Sequence, residues 1–247
     1  MMKNVILQKL KTFEDPEFKF DPTLHKYTYK GREYISATTF IQRFHKEFDT
    51  EFWANKKSEE LGVPVEEIKK DWKDKNTYSN EVGTAIHNWI ENYFNRIWQE
   101  LPTNLDIIDR INKFNKIYAT HLHKLTPIRF EIKTFSKIWT IAGTIDSLFM
   151  YNDSIIIFDW KTNKSWTTDN DKCFEKLLSP FEDYWKNHLN EYSMQLSLYK
   201  LILREVGIDV KAMYLCHIGP ETDARIYKCH DFTDKLETYL NENGFCV

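Results

Sequence analysis

Ile155-Ile156-Ile157-Phe158-Asp159-Trp160-Lys161 is the stretch on which the fold turns. Side chains alternate between the faces of a strand, so Ile155, Ile157, Asp159 and Lys161 share one face and Ile156, Phe158 and Trp160 the other. An apolar strand ending in an acid and an amine on one face is either a solvated end with an incidental charge pair or a site. Sites in α/β sheets lie at strand ends. Upstream, Ile141-Ala142-Gly143-Thr144-Ile145-Asp146-Ser147-Leu148 places Asp146 inside a second apolar strand. A lone acid there is unfavourable unless it is paired or bound to a cation. A turn at Asn152-Asp153 folds the two strands into a hairpin and brings Asp146 beside Asp159. Two close carboxylates repel, and a cation between them resolves the repulsion. Hard oxygen ligands favour Mg²⁺ or Mn²⁺ over zinc.

The pattern around this hairpin sets the fold class. A third strand is expected near residues 128–135, ahead of strands at 140–150 and 154–160. A helix over 191–206 and strands at 210–217 and 224–229 follow, and a short helix closes the chain. Before them, residues 26–35 read as a hairpin turning at Lys30-Gly31, and Ser36 as the cap of a helix over 38–45. Residues 50–75 read as two charged helices broken at Gly62-Val63-Pro64. Long helices are expected over 79–100 and 104–123. This order predicts an α/β fold with a mixed sheet flanked by helices and an N-terminal helical extension. The expected division is 1–78 for the hairpin and helical extension and 79–247 for the core.

Two further positions carry polar groups in apolar settings. His87 lies among Ile86, Trp89, Ile90 and Phe94, and is either a satisfied core histidine or a ligand. Gln195 and Tyr199 are four apart and share a helical face, as an ordinary amphipathic helix or a site would have them.

Composition bounds the rest. The 247 residues suffice for one large domain, and 42% hydrophobic with 15% aromatic residues indicates a globular chain. The net charge of −3 gives no global basic field for grasping duplex nucleic acid. Cys173, Cys216, Cys229 and Cys246 contain no C-x-x-C pair, so neither zinc nor an iron–sulfur cluster is expected. No run approaches the ~18 apolar residues of a membrane span. The N-terminus lacks the features of a signal or transit peptide, and a cytoplasmic protein of a bacterium or phage-infected cell is expected.

Taken in order, Gly83-Thr84-Ala85-Ile86-His87, Glu131, Gly143-Thr144-Ile145-Asp146, Asp159-Trp160-Lys161 and Gln195 to Tyr199 resemble the PD-(D/E)XK nuclease superfamily, and within it the RecB-like exonucleases. His25-Lys26-Tyr27 and Ser36-Ala37-Thr38-Thr39 are similar to the front of phage exonucleases and the mitochondrial genome maintenance exonuclease. The motif-bearing resemblance covers about residues 80–200. It implies a restriction-endonuclease-like fold. It implies Mg²⁺ or Mn²⁺ held by His87, Asp146, Asp159 and the Trp160 carbonyl, with Glu131 either a further ligand or salt-bridged to Arg129 or Lys133. Lys161 is expected to orient the attacking water and stabilise charge on the phosphate, while Gln195 and Tyr199 steady the site and touch DNA.

Three functions fit these residues. The first is an exonuclease on DNA ends that prefers single strands. The second is a structure-specific endonuclease of the same fold. The third is an inactive DNA-binding or anti-defence module, against which the intact acidic set argues. Lys164 and Trp166 open a segment over 163–190 in which Lys172, Lys176 and Lys186 interleave with Phe174, Phe181, Tyr184 and Trp185. Such a segment either guides a single strand or anchors a loop on the sheet. Phe48, Phe52, Trp53, Lys56, Lys57, Trp72, Lys73 and Lys75 form either a lid or arch, or an amphipathic helical pair. No Gly-rich phosphate loop is present, so unwinding would need a helicase or another replication or repair partner.

Overall fold

A computed structural model of the chain describes residues 2–168 and 173–247. Its centre is the hairpin of β5 (Ile141–Tyr151) and β6 (Ser154–Lys161). One edge of β5 pairs antiparallel along its length with β4 (Thr126–Phe135). The other edge is shared. β3 (Arg32–Ser36) runs parallel to its start, at Ile35↔Ile141 and Ser36↔Ala142, and β6 runs antiparallel to its end, from Ser147↔Phe158 to Tyr151↔Ser154. Residues 143–146 have no strand partner on that side among the described residues. The sheet therefore forks at the segment holding Gly143 and Asp146. Beyond β6 come β7 (Val210–His217), parallel to it, and β8 (Arg225–Lys228); beyond β3 come β2 (Lys26–Tyr29) and β1 (Phe18–Asp21).

Helices cover both faces, giving the expected α/β layers and mixed sheet. Ile155 and Ile157 point into a core closed by α6 (His188–Glu205), α7 (Thr233–Glu242), α1 (Met2–Leu10) and α2 (Ala37–Ile41). Ile156, Phe158 and Trp160 point into a second core with Val82, Ile86 and Ile90 of α4 (Val65–Asn95) and Ile111 and Phe114 of α5 (Leu105–Thr120). The alternation along residues 155–160 is the partition between these cores. α3 (Thr50–Leu61) precedes α4 and is mostly exposed.

Three elements differ from the expectation. α4 is one helix of 31 residues, without the break expected between 75 and 79. No glycine or proline occurs there to stop it, and its charged first half continues into the apolar second half. β1 is not among the expected strands: Phe18-Lys19-Phe20-Asp21 alternates apolar and polar residues over only four positions, and it pairs with β2 from Phe18↔Tyr29 to Asp21↔Lys26. α1 is a helix with little pattern in its sequence, and it buries only Ile6 and Leu10. Ser36 does cap α2, its side chain accepting from Thr39 N–H, and Asn104 caps α5.

Two glycines fix the spacing of the layers. A Cβ on Gly143 would lie 2.6 Å from Tyr199 Cε1, so the ring of α6 reaches the β5 backbone only because this residue is glycine. A Cβ on Gly83 would meet Thr162 Oγ1 at 3.2 Å, a rotatable group. Gly143→Ala is expected to destabilise the fold by about 1–3 kcal/mol through overpacking. Gly83→Ala is expected to stay within about 1 kcal/mol of the parent, because helix propensity offsets the tight contact. Urea denaturation of both variants checks this, and equal losses would contradict the assignment.

Candidate active site

Asp146 and Asp159 stand where β5 and β6 stop pairing. After Ser147↔Phe158 the backbone ladder ends, and Asp146 Oδ2 takes the Trp160 N–H at 2.8 Å in place of a carbonyl. β6 continues on β7 alone, with Asp159↔Leu215 and Lys161↔His217. One carboxylate thus terminates the hairpin and holds the strand that carries the other.

His87 reaches this point from α4. Its Nε2 is 2.9 Å from the Trp160 carbonyl, which can only accept, so Nε2 carries the proton. Nδ1 then faces acids: it is 3.5 Å from Asp146 Oδ2 and 3.7 Å from Glu131 Oε1. Ligand atoms of His87, Glu131 and Asp146 all lie within 4.8 Å of one another. His87 is therefore not a histidine sequestered in the helical layer. The surroundings of Glu131 are equally definite. Arg129 pairs with Glu14 at 2.6 Å and Lys133 lies over the Phe20 ring, so neither salt bridge considered for Glu131 forms. Glu131 adopts φ 45 within β4, a left-handed conformation unfavourable for a side-chain-bearing residue. That cost is borne at the position whose carboxylate joins the cluster.

Asp159 is 2% exposed and its Oδ2 lies 2.7 Å from Lys161 Nζ. The ammonium also sits 4.1 Å from the centre of the Tyr192 ring. Burial alone would lower the Lys161 pKa, but Asp159, Tyr192 and Asp146 hold it above its ordinary value. Burial and the nearby Asp146 push Asp159 up to about 6 despite Lys161. Burial likewise raises Asp146, against His87 and Lys161. For His87, burial opposes the charged form, but Asp146, Glu131 and Asp159 outweigh it and raise the group to about 9. The cluster thus holds more protons than its groups would in water. Three carboxylates share one histidine and one lysine, and a divalent cation suits that excess of negative charge.

The cluster opens into a cleft of about 860 Å³. His87, Glu131, Trp160, Lys161 and Lys164 line it, as do Asn76, Ser79, Asn80, Thr84 and Tyr192, of which only Thr84 belongs to a motif. The signal for the first four is their three- and four-residue spacing towards His87 along one helix face; Tyr192 stands three residues before Gln195 on α6. His25, at the β1–β2 turn, forms another wall.

Gln195 and Tyr199 are 6% and 3% exposed, and Gln195 Nε2 donates to Tyr199 Oη at 3.0 Å. Their position fits support of the β5 backbone at Gly143; being buried, they offer no surface to a DNA strand. Trp166 is not spread on the surface either. It stacks on His217, with centroids 4.3 Å apart, and also against His188 and Tyr192. In the same segment Phe181 is buried against Phe44, and Lys176 covers Trp185. Most of these rings anchor a loop; Phe174 is fully exposed. Lys172 lies outside the described residues.

No protein family model matches the chain. It is 22% identical over 223 residues to a subunit of an ATP-dependent helicase/nuclease from Lactobacillus gasseri. That alignment takes in 74% of this chain and 18% of the relative, so the chain spans about a fifth of the relative's length. A solved structure from Eubacterium rectale, named as a candidate exonuclease, superposes with TM-score 0.43 at 13% identity, covering 67% of this chain and 64% of that one. Among the described residues, no helix is long and apolar enough to cross a membrane.

The raised groups fix the sign of a pH dependence. A carboxyl raised from 3.8 to about 6 favours the folded state below 3.8 and loses that contribution as pH rises to about 6. A histidine raised from 6.5 to about 9 contributes fully below 6.5 and loses it towards 9. Both slopes have the same sign. In chelator the melting temperature is expected to fall between pH 6.5 and 9, and His87→Gln to flatten that fall. Melting curves at several pH values check it; an unchanged slope in His87→Gln would contradict the assignment.

Proposed function

We propose that the chain is a Mg²⁺- or Mn²⁺-dependent deoxyribonuclease of the PD-(D/E)XK type, acting as an exonuclease on DNA ends and preferring single strands. The observation that carries the reading is the convergence of His87, Glu131 and Asp146 within 4.8 Å, beside the buried Asp159–Lys161 pair. The similarity to a helicase/nuclease subunit supports it and makes a helicase a natural partner. In this reading residues 79–247 carry the chemistry, and the front of the chain, whose β3 joins the sheet and whose last residues begin α4, handles the substrate.

The donor set fits a hard divalent cation: two carboxylates and an imidazole Nδ1, with Asp159 and the Trp160 carbonyl adjoining. When bound, the cation supplies charge relief on the phosphate and a more acidic water. The remaining work falls to the chain. Trp160 C=O holds the His87 Nε2 proton and so keeps Nδ1 turned towards the carboxylates. Lys161, kept protonated, places positive charge where the scissile phosphate gains negative charge and orients the attacking water. Asp159 and the face of Tyr192 fix the ammonium in place. Hydrolysis leaves a 5′-phosphate and a 3′-hydroxyl.

Cleavage of linear single-stranded DNA is expected with Mg²⁺ or Mn²⁺ and none after chelation. Lys161→Ala should lose at least about 100-fold in rate with metal binding retained, as expected for removal of a single electrostatic stabiliser. Asp159→Asn should weaken both. Calorimetric metal titration beside a cleavage assay separates the two. Full activity in chelator, or a wild-type rate in Lys161→Ala, would sink the reading. Comparable cleavage of circular and linear single strands would instead favour the endonuclease.

A further inference from the structure

Away from the cleft, the start of α3 and the loop before it expose a cluster of large rings. Phe48, Phe52 and Trp53 are 63%, 56% and 44% exposed. Phe48 and Trp53 are parallel within 6°, with centroids 6.4 Å apart. Parallel and exposed, the pair offers flat apolar faces of the kind on which bases stack. Trp72 of α4 closes the floor, 6.3 Å from Phe48, and Lys56 Nζ stands 5.1 Å from the Trp53 ring centre. These groups line a groove of about 400 Å³.

We propose that the Phe48–Trp53–Trp72 groove is a second nucleic-acid site, a platform that stacks the bases of a single strand whose backbone continues along α4 to the catalytic cleft. Three observations carry it. The ring pair is exposed and its rings are parallel, a surface on which bases can stack. Lys56 Nζ lies over the Trp53 ring and lines the groove, where it can meet a phosphate beside a stacked base, whereas Lys57 is taken up by Glu60 at 3.0 Å. Finally, Trp72 begins the α4 stripe that continues through Asn76 and Asn80 to His87, all but Trp72 lining the cleft. About four helical turns separate Trp72 from His87, roughly 22 Å of rise. That distance accommodates at most about six stacked nucleotides.

The proposal rests on the nuclease reading only for what happens at the far end of the strand, so its test is a binding measurement without catalysis. Fluorescence anisotropy of labelled oligothymidylate in chelator should show the 20-mer bound by the parent. Trp53→Ala and Phe48→Ala should each weaken it about tenfold, within the range for loss of one base–aromatic stack. Trp53→Phe should retain most of the affinity. The ratio of parent to Trp53→Ala affinity should grow with length up to about six nucleotides and stay flat beyond. Both rings are exposed, and unchanged melting temperatures establish that the variants fold. Parent-like binding by both alanine variants would overturn the platform, as would a parent that cleaves DNA but prefers a 20-base-pair duplex in chelator. Weakened binding in the variants of a protein that cleaves nothing with any metal would uphold the platform and defeat the nuclease reading.

Discussion

The hydrogen bond from Trp160 N–H to Asp146 Oδ2 is the constraint on which the site depends. A β hairpin would ordinarily continue its ladder past Ser147↔Phe158. Here a side chain replaces the next backbone acceptor, and β6 leaves β5 to run on β7. The fork frees the Trp160 carbonyl to meet His87 and lets Lys161 reach the cleft edge while Asp159 stays buried beneath it. Because β5 is held by β4 along its opposite edge, the fork opens without loss of the central strand. Tyr199 fills the gap over Gly143, and Tyr27 Oη meets Thr144 Oγ1 at 3.1 Å. The fork is thus packed on its inner side and open only towards the cleft.

Electrostatics explains why so polar a point survives between two apolar cores. Each buried acid is stabilised by a specific partner: Asp146 by the Trp160 amide and His87, Asp159 by Lys161. The pairs do not balance, since Glu131 adds a third carboxylate and is held there by a left-handed backbone. A fold selected for stability alone would not place a left-handed glutamate in a strand facing two other acids. The excess of negative charge suits a divalent cation, and it appears in the raised protonation of His87 and Asp159.

Much of this is legible from residue order. Alternation in residues 155–161 assigns every apolar side chain of β6 to its observed core, and the Asn152-Asp153 turn fixes the hairpin. The Asp146/Asp159 encounter follows from those two facts. The fate of Glu131 does not follow, because Arg129, Glu131 and Lys133 alternate regularly in sequence. Only the backbone turn at Glu131, with Glu14 and Phe20 arriving from the front of the chain, separates the acid from its neighbours. Gln195 and Tyr199 stand out as a pair, but their burial depends on how closely α6 approaches Gly143, a distance that helical spacing does not encode. Nor does residue order show that His217, His188 and Tyr192 converge on Trp166 and take its ring out of reach of a strand.

The continuity of α4 has the widest consequence. A break near residue 78 would make the front of the chain a separate attachment, free to move against the cleft. A single helix from Val65 to Asn95 instead makes Trp72 and His87 parts of one rigid rod. Its apolar second half is fixed by Val82, Ile86 and Ile90 in the core beneath β6, so the orientation of the exposed first half is set by the packing that positions His87. α3 folds back on this rod, Lys69 pairing with Glu51 and Phe48 resting near Trp72. The exposed rings are therefore held at a fixed distance from the acidic cluster by a helix, a more exact spacer than a loop. Gly83 belongs to the same design: by letting α4 approach Thr162, it seats the rod against the strand end where Lys161 stands.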